Sequence, residues 1–323
     1  MRKEDLRIVF MGTPEFAVET LKALVENDYN VVAVVTQPDK PVGRHQTEMQ
    51  PSQVKQYAVA HGLPVLQPEK MKDPEFVEQL RSYNANLQVV VAFRMLPEVV
   101  WAMPEYGTFN VHAALLPQYR GAAPINWAVI NGETQTGVTT FFLDHDIDTG
   151  RIILKKTFDI PDEADVEYVY DGLMHLGAEI CLETLEAIVA ANGHPDSIPQ
   201  DSVLDGSAIK PAPKIFKETC EIDWKKTAKQ VYDFVRGLSP YPGAWTTLVA
   251  PDGKETVLKI YKTRKTGKPG KGIGTITIEG KALCVSAADE QLEIVELQLA
   301  GKKRMMARDF LNGMKQIEDY RVK

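Results

Sequence analysis

The stretch Ile8-Val9-Phe10-Met11-Gly12-Thr13-Pro14 decides the fold of the first half of the chain. Its apolar, β-branched run predicts a buried strand, and Thr13-Pro14 is a typical helix start before the helically spaced apolar residues of 16–25. A second buried strand is predicted at 31–36. A strand, a helix and a strand in this order indicate a parallel sheet with right-handed crossovers.

Further segments repeat this alternation along the first half of the chain. The patterns predict strands at 87–93 and 108–112, a strand hairpin at 137–144 and 151–160, and helices around 54–58, 76–80 and 166–191. We therefore predict an α/β fold with a Rossmann-like, mostly parallel sheet.

The composition changes after this α/β region. Prolines and glycines over 193–217 mark a linker between a first domain, residues 1–192, and a second, residues 218–323. In the second domain a helix is predicted at 228–238 and short strands at 245–249, 257–261, 274–278, 283–286 and 292–297. Short strands with regular turn signals predict a small β-barrel or sandwich.

Charge is distributed unevenly between the two halves of the 323-residue chain. Residues 1–210 hold 16 Lys and Arg against 30 Asp and Glu, whereas residues 211–323 hold 21 against 14, so the net charge of −7 combines an acidic body with a basic tail. A basic domain of this kind is typical of proteins that bind a polyanion. Many small domains are mildly basic without such a partner, and charge alone does not separate the two interpretations.

The sequence does not favour a membrane protein or a secreted protein. No segment is long and apolar enough to span a bilayer, and the N-terminal apolar run is too short for a signal peptide. Cys181, Cys220 and Cys284 lie far apart and form no CxxC pair. We expect a cytoplasmic, monomeric protein without membrane association, whose cysteines fill the core.

Three polar residues around a Gly- and Pro-rich loop carry the chemistry. Asn110 and His112 lie two residues apart on a predicted strand, so both side chains share one face at the carboxyl end, where ligands bind in open α/β sheets. Either residue alone is more often structural. Together with Asp148 they supply the donor, imidazole and carboxylate needed to carry an amine through a tetrahedral intermediate at a carbonyl carbon.

Two other motifs do not support a cofactor or a metal. The turn after the first strand lacks G-x-G-x-x-G, and Pro14 and Phe16 would block close approach of a pyrophosphate, so NAD is not expected. Residues 144–155 begin like a calcium loop but lack glycine at the sixth position and end on Lys155 instead of Glu. We expect no metal site.

A turn-rich insertion at 37–46 follows the second predicted strand. Such loops usually lie in solvent without a partner. Because this one carries Lys40, Arg44 and His45 beside the predicted cleft, we favour phosphate binding.

These motifs resemble the 10-formyltetrahydrofolate-dependent formyltransferases. The resemblance rests on the Asn110, His112 and Asp148 set, on Leu115-Leu116-Pro117 and on Arg120-Gly121-Ala122-Ala123-Pro124. The stretch 36–44, the Pro-rich linker and Ile222-Asp223-Trp224 are most similar to the members that act on an aminoacylated initiator tRNA. The resemblance covers essentially the whole chain.

The resemblance implies a Rossmann-like catalytic domain, a linker and a β-barrel similar to the oligonucleotide-binding (OB) fold. It implies Asn110, His112 and Asp148 as catalytic residues, with Asp148 holding His112. The formyl donor, 10-formyltetrahydrofolate, would lie against the loop Ala114, Leu115, Leu116 and Pro117. Initiator methionyl-tRNA would be gripped near its acceptor end by the insertion and the basic barrel. The predicted tRNA contacts are Lys40, Arg44, Lys210, Lys214, Lys265 and Lys303, within a wider basic set that adds Lys262, Arg264, Lys268, Lys302 and Arg304.

Two departures from the family pattern modify these expectations. Ala114 occupies a position that is usually serine, so the folate contact would come from backbone groups of 114–117. His45-Gln46-Thr47 replaces a lysine-rich continuation of the insertion, which leaves more of the tRNA attraction to the barrel. Two alternatives stay open: the same chemistry on an amino-sugar nucleotide or other small amine, and folate or RNA binding without catalysis. The basic second domain and the insertion at 37–46 disfavour the first, because a small substrate needs neither, and the complete polar triad disfavours the second.

Overall fold

The computed structural model describes residues 1–42, 48–314 and 316–323. Within these ranges the strands are β1 (Ile8–Gly12), β2 (Val31–Val35), β3 (Lys40–Val42), β4 (Glu48–Gln50), β5 (Val65–Leu66), β6 (Leu87–Val91), β7 (Thr108–His112), β8 (Arg120–Gly121), β9 (Gln135–Phe142), β10 (Ile152–Asp159), β11 (Pro211–Ala212), β12 (Ala244–Val249), β13 (Glu255–Pro269), β14 (Ile276–Glu279), β15 (Ala282–Ser286), β16 (Glu290–Leu299), β17 (Met305–Met306) and β18 (Arg321–Val322). The helices are α1 (Glu15–Glu26), α2 (Gln53–Ala60), α3 (Pro74–Ser82), α4 (Glu98–Trp101), α5 (Pro124–Ile130), α6 (Val166–Ala190), α7 (Ala228–Gly237) and α8 (Ala307–Gly313). Short 3-10 turns lie at Lys3–Asp5, Gln200–Val203, Glu218–Cys220 and Ile317–Asp319.

The chain forms two compact units that interleave in sequence. Unit 1 consists of Met1–Gly121, Thr136–Asp159 and Tyr170–Pro211. Unit 2 consists of Ala122–Gln135, Ile160–Val169 and Ala212–Lys323. The segment 193–211, which the composition assigns to a linker, therefore belongs to unit 1.

Unit 1 is built on a seven-stranded sheet with the order β10-β9-β7-β6-β1-β2-β5. The pairs β2–β5, β1–β2, β1–β6 and β6–β7 are parallel, and β7–β9 is antiparallel. The predicted Rossmann-like, mostly parallel sheet is confirmed. All five residues of β1 and of β6 are buried, as expected for strands covered on both faces.

The turn from β1 into α1 is closely packed. A Cβ atom on Gly12 would lie 2.6 Å from the Cβ of Ala17 and 2.9 Å from the carbonyl oxygen of Val91. Glycine therefore lets the helix approach the sheet at this point. Helix α1 begins after Pro14 and buries Phe16, whose ring centre lies 5.3 Å from that of Tyr170 on α6.

Strand β7 places the predicted catalytic residues. It runs parallel to β6, with Val111 opposite Val91, and antiparallel to β9, with His112 opposite Thr139. His112 is thus the last residue of a central strand, at the carboxyl end where open α/β sheets expose their ligand sites. Asp148 lies in the connection from β9 to β10.

Unit 2 is a curled antiparallel sheet with the order β14-β15-β16-β13-β12-β18, and β17 also pairs with β16. A bridge between Thr275 and Arg321, with a hydrogen bond from Val322 N to Gly274 O of 3.0 Å, joins the two ends of this order. The predicted barrel architecture is confirmed. Its interior is an apolar cluster that includes Trp224, Leu258, Ile260, Leu292 and Ile294.

The long strand β13 differs from the prediction of a short strand at 257–261. It continues to Pro269 through a lysine-rich stretch whose side chains are mostly exposed. Only Leu258, Ile260 and Thr263 of this strand are buried. Because its outer part pairs with β16 instead of packing into the core, hydrophobic alternation does not reveal its length.

Cys181, Cys220 and Cys284 are unpaired and buried, and burial raises the pKa of each thiol. In the ranges that the structure describes, no helix combines the length and the apolar character needed to cross a membrane. The division at residues 192 and 218 stays a prediction, since it concerns function as well as packing.

Candidate active site

His112 is held by a backbone carbonyl. The residue is buried, with 6% of its surface exposed, and its Nε2 lies 2.9 Å from the carbonyl oxygen of Tyr119. A carbonyl oxygen only accepts, so Nε2 carries the hydrogen of this bond. Nδ1 is therefore the ring nitrogen left to exchange a proton or to donate when the imidazole is charged.

The carbonyl of Tyr119 reaches His112 because of an unusual backbone conformation. Tyr119 has a φ of 61°, in the left-handed region that bulky residues rarely adopt. Its N–H donates to the carbonyl oxygen of Lys210 at 2.7 Å, which fixes the turn from the other side. A non-glycine residue held in this region at a candidate site is typical of strain retained for function.

Asp148 faces the free nitrogen of His112. Its Oδ2 lies 3.9 Å from Nδ1 of His112, within ion-pair range but beyond a direct hydrogen bond. The same oxygen accepts a hydrogen bond of 2.9 Å from the N–H of Gly121. Asp148 also has a left-handed φ of 56°. The structure thus brings together two of the three predicted catalytic residues from segments 36 positions apart.

Gly150 makes the Asp148 turn possible. A Cβ atom on Gly150 would lie only 1.6 Å from the carbonyl oxygen of Phe142. Any residue other than glycine would therefore clash there unless the backbone moved. The predicted catalytic Asp148 is therefore followed, two residues later, by a glycine that close packing requires.

Gln200 connects the two loops that flank Asp148 and His112. Its side-chain Nε2 donates to the carbonyl oxygens of Asp148 at 2.7 Å and Gly150 at 2.9 Å. Its Oε1 accepts from Nε and Nη2 of Arg120 at 3.0 and 2.8 Å. Sequence reasoning missed Gln200, because it lies in a Pro-rich segment without periodic or motif signal.

Asn110 shares a strand face with His112 and is half-buried. Its Oδ1 is buried and has no hydrogen-bond partner in the described residues. No hydrogen bond joins its Nδ2 to the part of the chain that the structure describes either, so the two amide hydrogens are available to a ligand.

The loop Ala114–Pro117 is fixed by Thr139 on β9. The Thr139 hydroxyl donates to the carbonyl oxygen of Ala114 at 2.6 Å and accepts from the N–H of Leu116 at 3.1 Å. Ala114, Leu116 and Pro117 are buried, and Leu115 is half-buried. Thr139, like Tyr119 and Gln200, carried no recognisable sequence signal; only its place in a regular strand was predicted.

The predicted tRNA contacts fall into different environments. Lys40 is exposed on β3, and Arg44 and His45 lie outside the described residues. Lys265 forms an ion pair of 2.6 Å with Asp162, which raises the pKa of Lys265 and lowers that of Asp162.

Other members of the basic set differ in their pairing. Lys214 lies 5.5 Å from the ring centre of Phe216, and the N–H of Lys210 donates to Oε1 of Gln118 at 2.8 Å. Lys303 is exposed and has no ion-pair partner in the described ranges. Arg264, Lys268 and Arg304 pair with Glu293, Glu279 and Glu296, respectively.

No metal-binding cluster was found among the described residues, where no three His, Cys, Asp or Glu side chains are close enough to share an ion. The arrangement around β7 instead offers an amide donor, an imidazole with one free nitrogen and a carboxylate. These groups can bind a carbonyl oxygen and move a proton.

Two family models match the chain. A "Formyl transferase" model matches residues 6–185, which includes all three polar residues of the site. A "Formyl transferase, C-terminal domain" model matches residues 214–315, which contain α7 and the strands β12 to β17 of the curled sheet.

Similar proteins agree with these matches over the full length. The chain is 60% identical to a methionyl-tRNA formyltransferase of Parabacteroides distasonis, with all of both chains covered. It is 48% identical to a methionyl-tRNA formyltransferase of Porphyromonas gingivalis, with 97% of each chain covered.

Two solved structures share the fold at low identity. HypX from Aquifex aeolicus, solved in complex with tetrahydrofolic acid, has a TM-score of 0.62 at 20% identity and covers 96% of this chain. This chain spans 48% of that HypX chain. The sugar 3N-formyl transferase WlaRD has a TM-score of 0.63 at 17% identity, with 92% of this chain and 99% of WlaRD covered.

Proposed function

The chain belongs to the methionyl-tRNA formyltransferase family of formyl transferases, and on that premise we propose that it formylates the α-amine of initiator methionyl-tRNA with 10-formyltetrahydrofolate as donor. The amine nitrogen bonds to the formyl carbon, and the bond from that carbon to the folate nitrogen breaks. One proton leaves the amine and one is gained by the folate nitrogen. The observation that carries the proposal is the pairing of His112 and Asp148 beside the unpartnered amide of Asn110.

Asn110 binds the formyl oxygen in this proposal. Its amide makes no hydrogen bond in the described part of the chain, so no internal bond has to break before it donates. Fixed donors aimed at developing negative charge are among the largest contributions to acyl transfer. The folate substrate supplies the formyl carbon, and the chain supplies the donor.

His112 and Asp148 handle the proton. Because Nε2 of His112 is bonded to Tyr119, only Nδ1 can donate to the formyl oxygen or exchange a proton near it. Asp148 lies 3.9 Å from that nitrogen and is itself fixed by the N–H of Gly121. Asp148 thus orients the imidazole of His112. Together the two residues accept the amine proton, directly or through a water.

The loop Ala114–Pro117 supports the folate proposal through its rigidity. Thr139 occupies the Leu116 N–H and one lone pair of the Ala114 carbonyl, so fewer backbone groups of the loop are left to bind folate. Leu115 is the half-buried side chain of the loop. We therefore propose that the loop contacts folate mainly through apolar surface at Leu115, with its shape set by the buried hydroxyl of Thr139.

Recognition of tRNA is assigned to the insertion and to unit 2. The separate family matches at 6–185 and 214–315 support a division into a catalytic domain, residues 1–192, and a tRNA-binding domain, residues 218–323. Lys262, Lys302 and Lys303 have no ion-pair partner within the described residues, so their charges are available to phosphates.

The proposal is tested with the purified protein and 10-formyltetrahydrofolate. Formyl transfer is measured to methionyl initiator tRNA, methionyl elongator tRNA and a nucleotide-linked amino sugar. We expect turnover with the initiator tRNA and little with the other two. Efficient formylation of the amino sugar would contradict the substrate assignment, and absence of turnover with every acceptor would contradict the activity.

A further inference from the structure

Gln200 lies where a linker was expected, yet it is one of the most buried polar residues, with 2% of its surface exposed. A glutamine side chain has two amide hydrogens to donate and an oxygen with two lone pairs. All four capacities are used: two donated bonds to backbone carbonyls and two accepted from Arg120.

The orientation of this amide is unambiguous. Arg120 can only donate, so the oxygen of Gln200 must face Arg120 and the nitrogen must face the carbonyls of Asp148 and Gly150. The side chain therefore clamps the Asp148 turn from one side and the loop that contains Arg120 from the other.

The backbone of Gln200 is anchored independently of its side chain. Ile198 and Ile152 exchange two backbone hydrogen bonds, of 2.8 and 2.9 Å, which attach the segment to the start of β10. The following turn Gln200–Val203 is closed by Ser202, whose hydroxyl donates to the carbonyl oxygen of Pro199 at 2.6 Å. Gln200 thus projects from a fixed support.

Both loops held by Gln200 lead directly to the candidate catalytic pair. The carbonyl of Asp148 belongs to the residue whose carboxylate faces His112, and Arg120 lies between Tyr119 and Gly121. Tyr119 holds Nε2 of His112, and Gly121 holds Oδ2 of Asp148. A shift of either loop would change the distance of 3.9 Å between His112 and Asp148.

We propose that Gln200 is a positioning residue for the His112–Asp148 pair, acting by donation to the carbonyls on either side of Thr149. This inference rests on the proposed function of that pair. Asp148 has a left-handed φ of 56°, and the two bonds donated by Gln200 hold the carbonyls of Asp148 and Gly150 that bracket this turn. Misplacement by about 1 Å lowers turnover on the order of 100-fold.

The substitution Gln200→Glu separates the bonds that Gln200 accepts from Arg120 from the bonds that it donates to the carbonyls of Asp148 and Gly150. A glutamate of the same length accepts from Arg120 at least as well as glutamine, but its ionised carboxylate cannot donate to the carbonyls of Asp148 and Gly150. If Gln200 serves only to hold Arg120, this variant retains activity. If it positions Asp148, the variant loses activity although the ion pair with Arg120 forms.

The experiment compares wild type, Gln200→Glu and Gln200→Leu in steady-state formylation with both substrates varied, alongside thermal melts. We expect kcat to fall about 10- to 100-fold in both variants, with the KM values for tRNA and formyl donor within about 3-fold of wild type. A purely structural role would lower the amount of folded enzyme without this selective change in kcat per folded molecule.

Gln291→Glu serves as the matched control. Gln291 in unit 2 is buried to the same 2% exposure, donates to the carbonyl oxygen of Pro269 at 2.9 Å and accepts from Thr277 at 3.0 Å. This control is expected to lower the melting temperature with kcat unchanged. Retention of wild-type kcat by folded Gln200→Glu would overturn the positioning role, whereas an inactive wild type would instead overturn the proposed function.

Discussion

Asn110 has a buried side-chain oxygen without a hydrogen-bond partner in the described residues, an arrangement that costs the folded state free energy. Leaving a buried polar group unsatisfied typically costs about 1–3 kcal/mol. Positions of this kind are expected where a side chain is retained for binding or catalysis instead of stability. Removal of the Asn110 amide is therefore expected to lower turnover without lowering stability.

We predict that Asn110→Ala lowers kcat about 100-fold or more, the usual effect of removing one oxyanion donor, without lowering the melting temperature. Formylation kinetics and a thermal melt check both halves. Asn86→Ala is the control, because Asn86 donates to the carbonyl oxygen of Asp5 and accepts from the N–H of Arg7, both at 2.8 Å. The control should lose stability and keep its kcat. Near-normal turnover of Asn110→Ala would exclude the donor role.

At the scale of elements, strand β9 carries two neighbouring buried threonines whose hydroxyls bond to different parts of unit 1. Thr139 fixes the loop Ala114–Pro117. Thr140, on the other face of the strand, bonds the hydroxyl of Thr184 on α6 at 2.8 Å and accepts from the N–H of Leu154 at 3.2 Å. One strand thus supports both the candidate folate loop and the packing of a helix.

We predict that Thr139→Val lowers the free energy of unfolding by about 1–3 kcal/mol and raises KM for the formyl donor, because the Ala114 carbonyl and Leu116 N–H lose their partner. Thr139→Ser, which restores the hydroxyl, should recover KM. Denaturant titration and donor-varied kinetics measure the two effects.

Thr140→Val is the matched control for this element. It also removes a buried hydroxyl with two partners, and it should destabilise the protein with no change in KM for the donor. An equal rise of KM in both variants would show that the effect on Thr139 is general loosening of β9.

At the scale of the whole molecule, the structure divides the basic residues of unit 2 into those that form ion pairs and those for which no ion pair is found within the described ranges. Arg264, Lys268 and Arg304 are engaged by glutamates of their own unit, whereas the partners of Lys262, Lys302 and Lys303 are not found within the described ranges. An internally paired cation contributes less to the field around the protein. Of these six residues, Lys262, Lys302 and Lys303 are therefore the better candidates for phosphate contacts.

We predict that the triple substitution of Lys262, Lys302 and Lys303 by Gln flattens the slope of log affinity for initiator tRNA against log salt concentration by about 2 to 3 units. Binding is measured between about 50 and 200 mM salt. A control triple, Arg2→Gln, Lys22→Gln and Arg81→Gln, removes the same charge from surface ion pairs of unit 1 and should leave the slope within about 1 unit. Equal slopes for the two triples would remove the three lysines from the interface.

Much of this molecule was determined by local pattern. Buried β-branched runs set β1, β2 and β6, and helical spacing set α1 and α6, because each pattern reports which face of an element is covered. The two-residue spacing of Asn110 and His112 placed both on one face at the end of β7. These inferences required only the periodicity of the backbone.

Only the tertiary structure decided how the candidate site is held. The left-handed turns at Tyr119 and Asp148, the hydroxyl of Thr139 and the buried amide of Gln200 meet His112 or its loops from segments far apart in the chain. Such hydrogen bonds depend on the path of the backbone in space, and a single polar residue in a Pro-rich segment carries no periodicity that reports it. Residue types therefore identified the chemistry, and long-range contacts set its geometry.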